Sequence, residues 1–398
     1  MDGIAIEDSD LDFGPVHGRM QWYVDQGMLP SVATAVLHEG RLVDCQTFGA
    51  MDLETQRPLL PDAIYRIFSN TKKITSVAAM MLYERGCFQL DDALADYLPA
   101  FSEVQVLKPD AQSERDLEPA RSPMTVRQVM SHSAGLSYGF VEPHSLIDRL
   151  YGEAGITSLI TVYDRDLEGL CEMVARQPLA YQPGSDWRYS VSADVLARLI
   201  ELWSGQRFGD FLREHIFAPL GMIDSGFHVP EDKLDRLVTM YAPTPKGMVS
   251  QDAPPASAWA APRALQSGGA GLVSTMADYL RFVQMLAGGG ELDGTRILQP
   301  QTLALMLDNQ LEPDIQVRFP FWEMPDTVFG LGFALKRSPA EGEPDTAIDE
   351  YHWGGMAGTH SFIAPRAKLA GLCFTQVMPF FWHPFSHDFK RAAYKAVS

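Results

Sequence analysis

The chain has 398 residues, 46% of them hydrophobic and 21% charged, the balance of a globular protein with a core large enough for two lobes. Its formal charge of −19 argues against nucleic acid or an anionic membrane as partner. No apolar run reaches membrane-spanning length, and the acidic start, Met1 to Asp10, lacks the basic-then-apolar pattern of a secretory signal, so the expected compartment is the cytoplasm.

An amphipathic helix is predicted from about Pro15 to Gln26. Two strands follow, Ser31 to His38 and Leu42 to Phe48, joined by a turn at Glu39-Gly40. The run Ile64 to Phe68 reads as a strand that leads into a helix from Thr71 to Arg85, closed by Gly86. A polar stretch from Lys108 to Ser122 precedes Met124 to Met130, and helices dominate from there to about Pro219. Strands return at Phe329 to Lys336, Tyr351 to Trp353, Ser361 to Ala364 and Leu369 to Val377, before a last helix from His387 to Val397.

Strands at both ends and helices between them predict an α+β architecture. One antiparallel sheet is flanked by the N- and C-terminal helices, with a mainly helical lobe beside it. The α/β lobe takes in about residues 1–85 and 260–398, and the helical lobe about 86–259, within a single catalytic unit. A site is expected between the lobes. Cys45, Cys87, Cys171 and Cys373 are scattered among apolar neighbours and form no C-x-x-C pair, so buried free thiols are expected rather than disulfides or metal ligands.

Ser69-Asn70-Thr71-Lys72 falls where the extended run turns helical. A Ser and a Lys three apart on a first helical turn share one face. Serine alone is a poor nucleophile, and an adjacent lysine able to lose its proton in an apolar site can serve as its base. The plainer reading makes Ser69 an N-cap and Lys72 a solvated first-turn residue.

Tyr189, in Trp187-Arg188-Tyr189-Ser190-Val191, sits where a turn meets the predicted helix Ala193 to Trp203. There it can aim a hydroxyl into a cleft and relay a proton. The alternative is a buried aromatic with its hydroxyl satisfied. In Tyr351-His352-Trp353-Gly354-Gly355-Met356, a short strand runs into paired glycines. It can let a ligand lie against the backbone or supply an N–H to an oxyanion; otherwise it is a glycine-rich hairpin.

In that order, Ser69-x-x-Lys72, Tyr189-Ser190-Val191 and the late Gly354-Gly355 strand resemble the serine hydrolases of the class C β-lactamase-like, penicillin-recognising fold. Thr125 to Leu136, Phe217 to Met222 and Ser267 to Thr275 are similar to segments of the same family, so the resemblance spans roughly residues 15 to 397. It departs in two places. The family's tyrosine element is normally Tyr-x-Asn, and here its third residue is Val191, which offers no side-chain hydrogen bond. The late strand normally carries Lys-Thr-Gly, and here it reads Trp353-Gly354-Gly355, without the cation that attracts a substrate carboxylate.

The Trp-Gly-Gly form resembles the family VIII carboxylesterases of this fold. That resemblance implies Ser69 as nucleophile, with a neutral Lys72 and Tyr189 taking its proton as Ser69 attacks a neutral ester or lactone. It implies an oxyanion held by the backbone N–H groups of Ser69 and Met356, and no metal or organic cofactor. Val191, Trp353, Gly354 and Gly355 are the expected substrate-binding positions. Two aromatic clusters, Phe319 to Trp322 and Phe380 to Phe385, are expected to line an apolar pocket through Trp322 and Trp382, or else to pack a lobe junction.

The rival activities on this fold are β-lactamase or DD-peptidase, acyltransferase, and a non-catalytic scaffold. Gly135-Leu136-Ser137-Tyr138-Gly139 matches the G-x-S-x-G elbow, but helix rather than strand is expected before it, so Ser137 is read as a coincidence. His383 and His387, separated by Pro384, are read as surface or capping residues rather than metal ligands. His132 and His360 are read as structural hydrogen-bond partners, and His352 as a support for the cleft.

Overall fold

The structure, a computed structural model, describes residues 6–156, 164–319, 324–380 and 383–398. Its centre is an eight-stranded sheet in which every neighbouring pair is antiparallel. The order across it is Thr327–Phe329, Ala334–Lys336, Tyr351–Gly355, Thr359–Ala364, Leu369–Phe374, Ser31–His38, Arg41–Asp52 and Arg57–Pro58. The first and last long runs of strand are therefore side by side, with Thr34 opposite Cys373.

Alternation along Ser31–His38 explains why both faces are covered. Val32 and Val36 join Cys373, Phe389 and Tyr394 under the flanking helices Gly14–Asp25 and Phe385–Ala396. Ala33, Ala35 and Leu37 point the other way, into the main core with the helices Thr71–Glu84 and Met276–Ala287. Each such fully buried aliphatic or aromatic side chain contributes about 1.5–3 kcal/mol. Thr71 through Leu82 is buried on all sides, as befits a helix at the centre of the molecule rather than on its surface.

The remaining helices include Val126–Met130, Leu146–Glu153, Leu167–Ala175 and Ser192–Ser204. Of these, Ser192–Ser204 packs on Thr71–Glu84, and Val126–Met130 and Leu167–Ala175 pack on Ser192–Ser204. Val126–Met130 is capped on both sides, because the Thr125 hydroxyl accepts from Gln128 N–H while the Gln128 side chain accepts from Thr125 N–H.

Three expectations are corrected. The run Phe329 to Lys336 is two strands, not one, because Gly330-Leu331-Gly332 turns the chain back on itself. Gly332 has φ +94°, and a Cβ there would lie 2.1 Å from Ser76 Oγ. The strand expected to reach Phe68 stops at Arg66, and Phe68 opens a 3₁₀ turn with φ 44°. The polar stretch after Lys108 holds the strand Leu117–Pro119, paired with Gln105–Leu107. Among the described residues no disulfide joins the four cysteines; Cys45, Cys171 and Cys373 are buried, but Cys87 is only half-buried.

Candidate active site

Ser69 sits in the 3₁₀ turn Phe68–Asn70 that opens the helix Thr71–Glu84. Phe68 holds a positive φ, a conformation that costs a bulky residue of the order of 1–3 kcal/mol and persists only when its surroundings impose it. Those surroundings are plain. Its ring packs edge-on against Trp259 at 5.7 Å, and the Ile67 carbonyl accepts from Thr359 Oγ1 at 3.0 Å. Asn70 is pinned to the same strand by Nδ2, which donates to the Thr359 carbonyl at 2.9 Å. The turn that carries Ser69 is thus clamped on both sides against the sheet.

Lys72 is 4% exposed, which rules out the solvated first-turn reading. Its Nζ lies 3.3 Å from Ser69 Oγ, 3.3 Å from the Tyr138 hydroxyl and 2.7 Å from the Gly269 carbonyl. Tyr189, just before the helix Ser192–Ser204, brings its hydroxyl to 2.5 Å from Ser69 Oγ. Lys72 Nζ also sits 4.6 Å from the centroid of the Tyr189 ring. Ser69, Lys72 and Tyr189, singled out along the sequence, are therefore brought together in one buried cluster.

The Tyr189 ring is ringed by aromatics. His132, Phe319 and Trp353 each lie 5.3 Å from it, centroid to centroid, and Tyr138 lies at 5.5 Å. The Phe319 cluster thus reaches the site through Phe319, whereas Trp322 and Trp382 lie outside the described residues. Phe380, from the second cluster, packs instead with His383 and Phe385 beside the C-terminal helix. Burial holds the His132 imidazole well below the usual range, and Lys72 adds to this. Its Nδ1 pairs with Ser190 Oγ at 3.0 Å, a structural role as expected.

The glycine pair permits two close approaches within the protein. A Cβ on Gly355 would stand 2.4 Å from the Ile67 carbonyl, and one on Gly354 would stand 2.3 Å from His360 Nδ1. Gly355 lets the strand press against the turn that holds Ser69, and Met356 follows directly beside it. The Ser69 N–H lies at the start of a helix, where geometry leaves amide donors without intrahelical acceptors. Val191 is buried at the head of the helix Ser192–Ser204, where its N–H donates to the Ser137 carbonyl at 3.3 Å.

His352 is not in the cleft. Strand alternation sends Trp353 toward Tyr189 and His352 to the opposite face, where its Nδ1 lies 3.2 Å from Glu350. Ser137 is fully buried. It accepts from Arg188 Nε at 2.7 Å and donates to Asp148 at 2.6 Å, a carboxylate that Arg188 itself pairs, so it serves a structural network. His383 Nδ1 accepts from Phe385 N–H at the head of the last helix, a capping role.

Tyr138, Gly269 and Asp194 were not singled out from the sequence. Tyr138 stood in view only inside the G-x-S-x-G decoy, and Asp194 only as an acidic residue in a helix first turn, where such residues are commonplace.

Comparison with known proteins shows the family and the fold. Residues 16–392 match the family model described as Beta-lactamase. Protein Rv1367c of Mycobacterium tuberculosis is 31% identical over 89% of this chain and 88% of its own length. Esterase EstB of Burkholderia gladioli is 29% identical over 90% and 89%. Among solved structures, EstCE1, a hydrolase with promiscuous acyltransferase activity, superposes with a TM-score of 0.81 at 25% identity, over 96% of this chain and 98% of that one. The chain belongs to the Beta-lactamase family, within the β-lactamase-like serine hydrolases.

Proposed function

We propose that the protein is a family VIII-type carboxylesterase that cleaves neutral esters, lactones among them, through an acyl-enzyme on Ser69. The observation that carries this reading is the Tyr189 hydroxyl at 2.5 Å from Ser69 Oγ, with Lys72 Nζ 3.3 Å away on the same oxygen. Ser69 attacks the ester carbonyl as its proton passes to the Lys72–Tyr189 pair. The oxyanion is received by the N–H groups of Ser69 and Met356. The proton returns to the departing alkoxide, and the same pair then activates the water that frees the acid.

The choice of a neutral ester is supported by Val191 and Trp353. They stand where a β-lactamase or DD-peptidase of this fold uses an amide and a cation, and the aromatic surround of Tyr189 suits an apolar acyl group. Gly354 and Gly355 complete the substrate edge in this reading. The division into an α/β lobe and a helical lobe, with the site between them, belongs to it too, as does a cytoplasmic setting, with which four scattered cysteines that form no disulfide accord. Among the described residues, no helix is long and apolar enough to cross a membrane. Acyl transfer to an alcohol is the second reading, favoured by the promiscuous acyltransferase activity of EstCE1.

The test is hydrolysis of short p-nitrophenyl esters beside nitrocefin, with intact-mass detection of an acyl adduct that disappears in Ser69→Ala. Faster turnover of nitrocefin than of any ester would overturn the substrate assignment. A serine-reactive phosphonate that fails to label the protein would overturn catalysis altogether.

A further inference from the structure

Behind Lys72 lies a buried carboxylate that the proposed acyl-enzyme route does not use. Asp194, in the first turn of the helix Ser192–Ser204, is 2% exposed and collects two donors, with a phenol beside it. The Ser267 hydroxyl and the Gly269 N–H both donate to its Oδ1, the latter at 3.2 Å, and the Tyr138 hydroxyl lies beside the carboxylate. A Cβ built on Gly269 would meet Asp194 Oδ2 at 2.6 Å and the Tyr138 hydroxyl at 2.8 Å, so these two oxygens face each other across that glycine. Oδ1 is thus taken by Ser267 and Gly269, and Oδ2 is left for Tyr138.

Resting on Ser69 as nucleophile, we infer that Asp194 is a positioning residue that aims the lone pair of Lys72 at Ser69. The argument is one of counting donors. Lys72 Nζ has three oxygen neighbours, Ser69 Oγ, Tyr138 OH and Gly269 O. The Gly269 carbonyl can only accept. A carboxylate can only accept as well, so the Tyr138 phenol spends its single proton on Asp194 and presents lone pairs to Lys72. Once Lys72 holds two N–H bonds and a lone pair, both N–H bonds are claimed, by Gly269 O and Tyr138 OH. The lone pair is left facing Ser69 Oγ, as a base for that hydroxyl requires. Asp194 fixes both claims, one through Tyr138 and one through the residue Gly269, whose N–H it holds while Ser267, bonded to it, accepts from the next N–H, that of Ala270.

Replacing the carboxylate with an amide of the same shape reverses one of those claims. In Asp194→Asn, the amide oxygen stays on the Ser267 and Gly269 donors, and the NH₂ group takes the place of Oδ2 and donates to Tyr138. The phenol proton is then free to donate to the lone pair of Lys72, in competition with Ser69. Tyr138→Phe removes an acceptor but introduces no competing donor.

The experiment is steady-state ester hydrolysis by Asp194→Asn, Tyr138→Phe and the double variant, with melting curves and Ser69→Ala alongside. Asp194→Asn is expected to lower kcat by about 10²-fold, with KM within about threefold. Tyr138→Phe should lose less, and adding it to Asp194→Asn should restore kcat to the Tyr138→Phe level. Additive losses, or an Asp194→Asn variant no slower than Tyr138→Phe, would overturn the inference and leave Ser69 as nucleophile intact. Should Asp194→Asn not fold, Tyr138→Phe alone decides, since an unchanged kcat overturns the inference and a lowered kcat at constant KM supports it. Full turnover by Ser69→Ala would overturn both readings together.

Discussion

Tyr189 and Ser69 are 120 residues apart in the chain, and their hydroxyl oxygens are 2.5 Å apart in the structure. The contact is made by a residue at the mouth of one helix and a residue at the mouth of another, which is why each hydroxyl projects into the same space. Tyr189→Phe keeps the ring and its aromatic neighbours and removes only the oxygen. It should reduce kcat for p-nitrophenyl esters by about 10²–10⁴-fold. The melting point should hardly move, because one hydrogen bond is worth about 1 kcal/mol. Turnover within a few-fold of the parent would show that Tyr189 carries no proton.

Ser137→Ala separates the decoy from the nucleophile. The substitution leaves Arg188 Nε and the fully buried Asp148 each short of a partner. The expected cost is about 1–3 kcal/mol of stability, seen in denaturant melts, with ester turnover close to that of the parent. A dead but fully stable variant would contradict the structural role.

Gly355→Ala tests the close contact between the sheet edge and the Ser69 turn. The new methyl would stand 2.4 Å from the Ile67 carbonyl, a backbone atom that cannot swing aside. The strand must back away, and Met356 moves with it. A displacement of about 1 Å is enough to cost about 10²-fold in rate. Such a loss, in kcat rather than KM, is expected in single-turnover acylation.

Acid sensitivity follows from buried histidines. Burial pushes His383 and His387 down to about 4 from an ordinary 6.5, and holds His132 and His360 well below it. A histidine whose folded pKa is depressed binds its proton in the unfolded chain first, so its contribution is whole above pH 6.5 and drains away as pH falls toward 4. Asp278, pushed up to about 6 by burial, opposes this below pH 6, as do Asp44 and Asp194, which burial also raises, but His215 and His352 are lowered too, so six histidines stand against three carboxylates. Glu343 adds a second loss. Although burial acts to raise it, Lys390 and Lys336 hold it at about 2, so its stabilisation fades from about pH 4.5 downward. The melting temperature should therefore fall steadily from pH 6.5 to 4, and His387→Gln should flatten the slope. A melting point that rose over that interval would refute this assignment.

Ser69, Lys72 and Tyr189 were legible in the sequence because each sits at a helix mouth, and the first two are bound by local spacing. Asp194 and Tyr138 were not legible. Their role arises only where the loop at 267–271 crosses between two helices, and nothing in local periodicity encodes that crossing. The strand order was readable in outline from alternation and turns, yet Phe329 to Lys336 was misjudged. An apolar run interrupted by Gly330 and Gly332 looks continuous until Ser76 is seen packed against the bend. His352 was misplaced by a simpler error, since the parity that aims Trp353 at Tyr189 must aim its neighbour away.

The pairing of Ser31–His38 with Leu369–Phe374 has a kinetic consequence. The strands that clamp the Ser69 turn, Tyr351–Gly355 and Thr359–Ala364, are joined to the N-terminal hairpin only through Leu369–Phe374. During synthesis, the hairpin of Ser31–His38 and Arg41–Asp52 waits for Leu369–Phe374 before its open edge is covered. Long-range closure of this kind makes folding slow and leaves an exposed strand edge meanwhile. Ser69 is therefore made well before the strands that clamp its turn, and the surroundings of that turn take shape only after they follow.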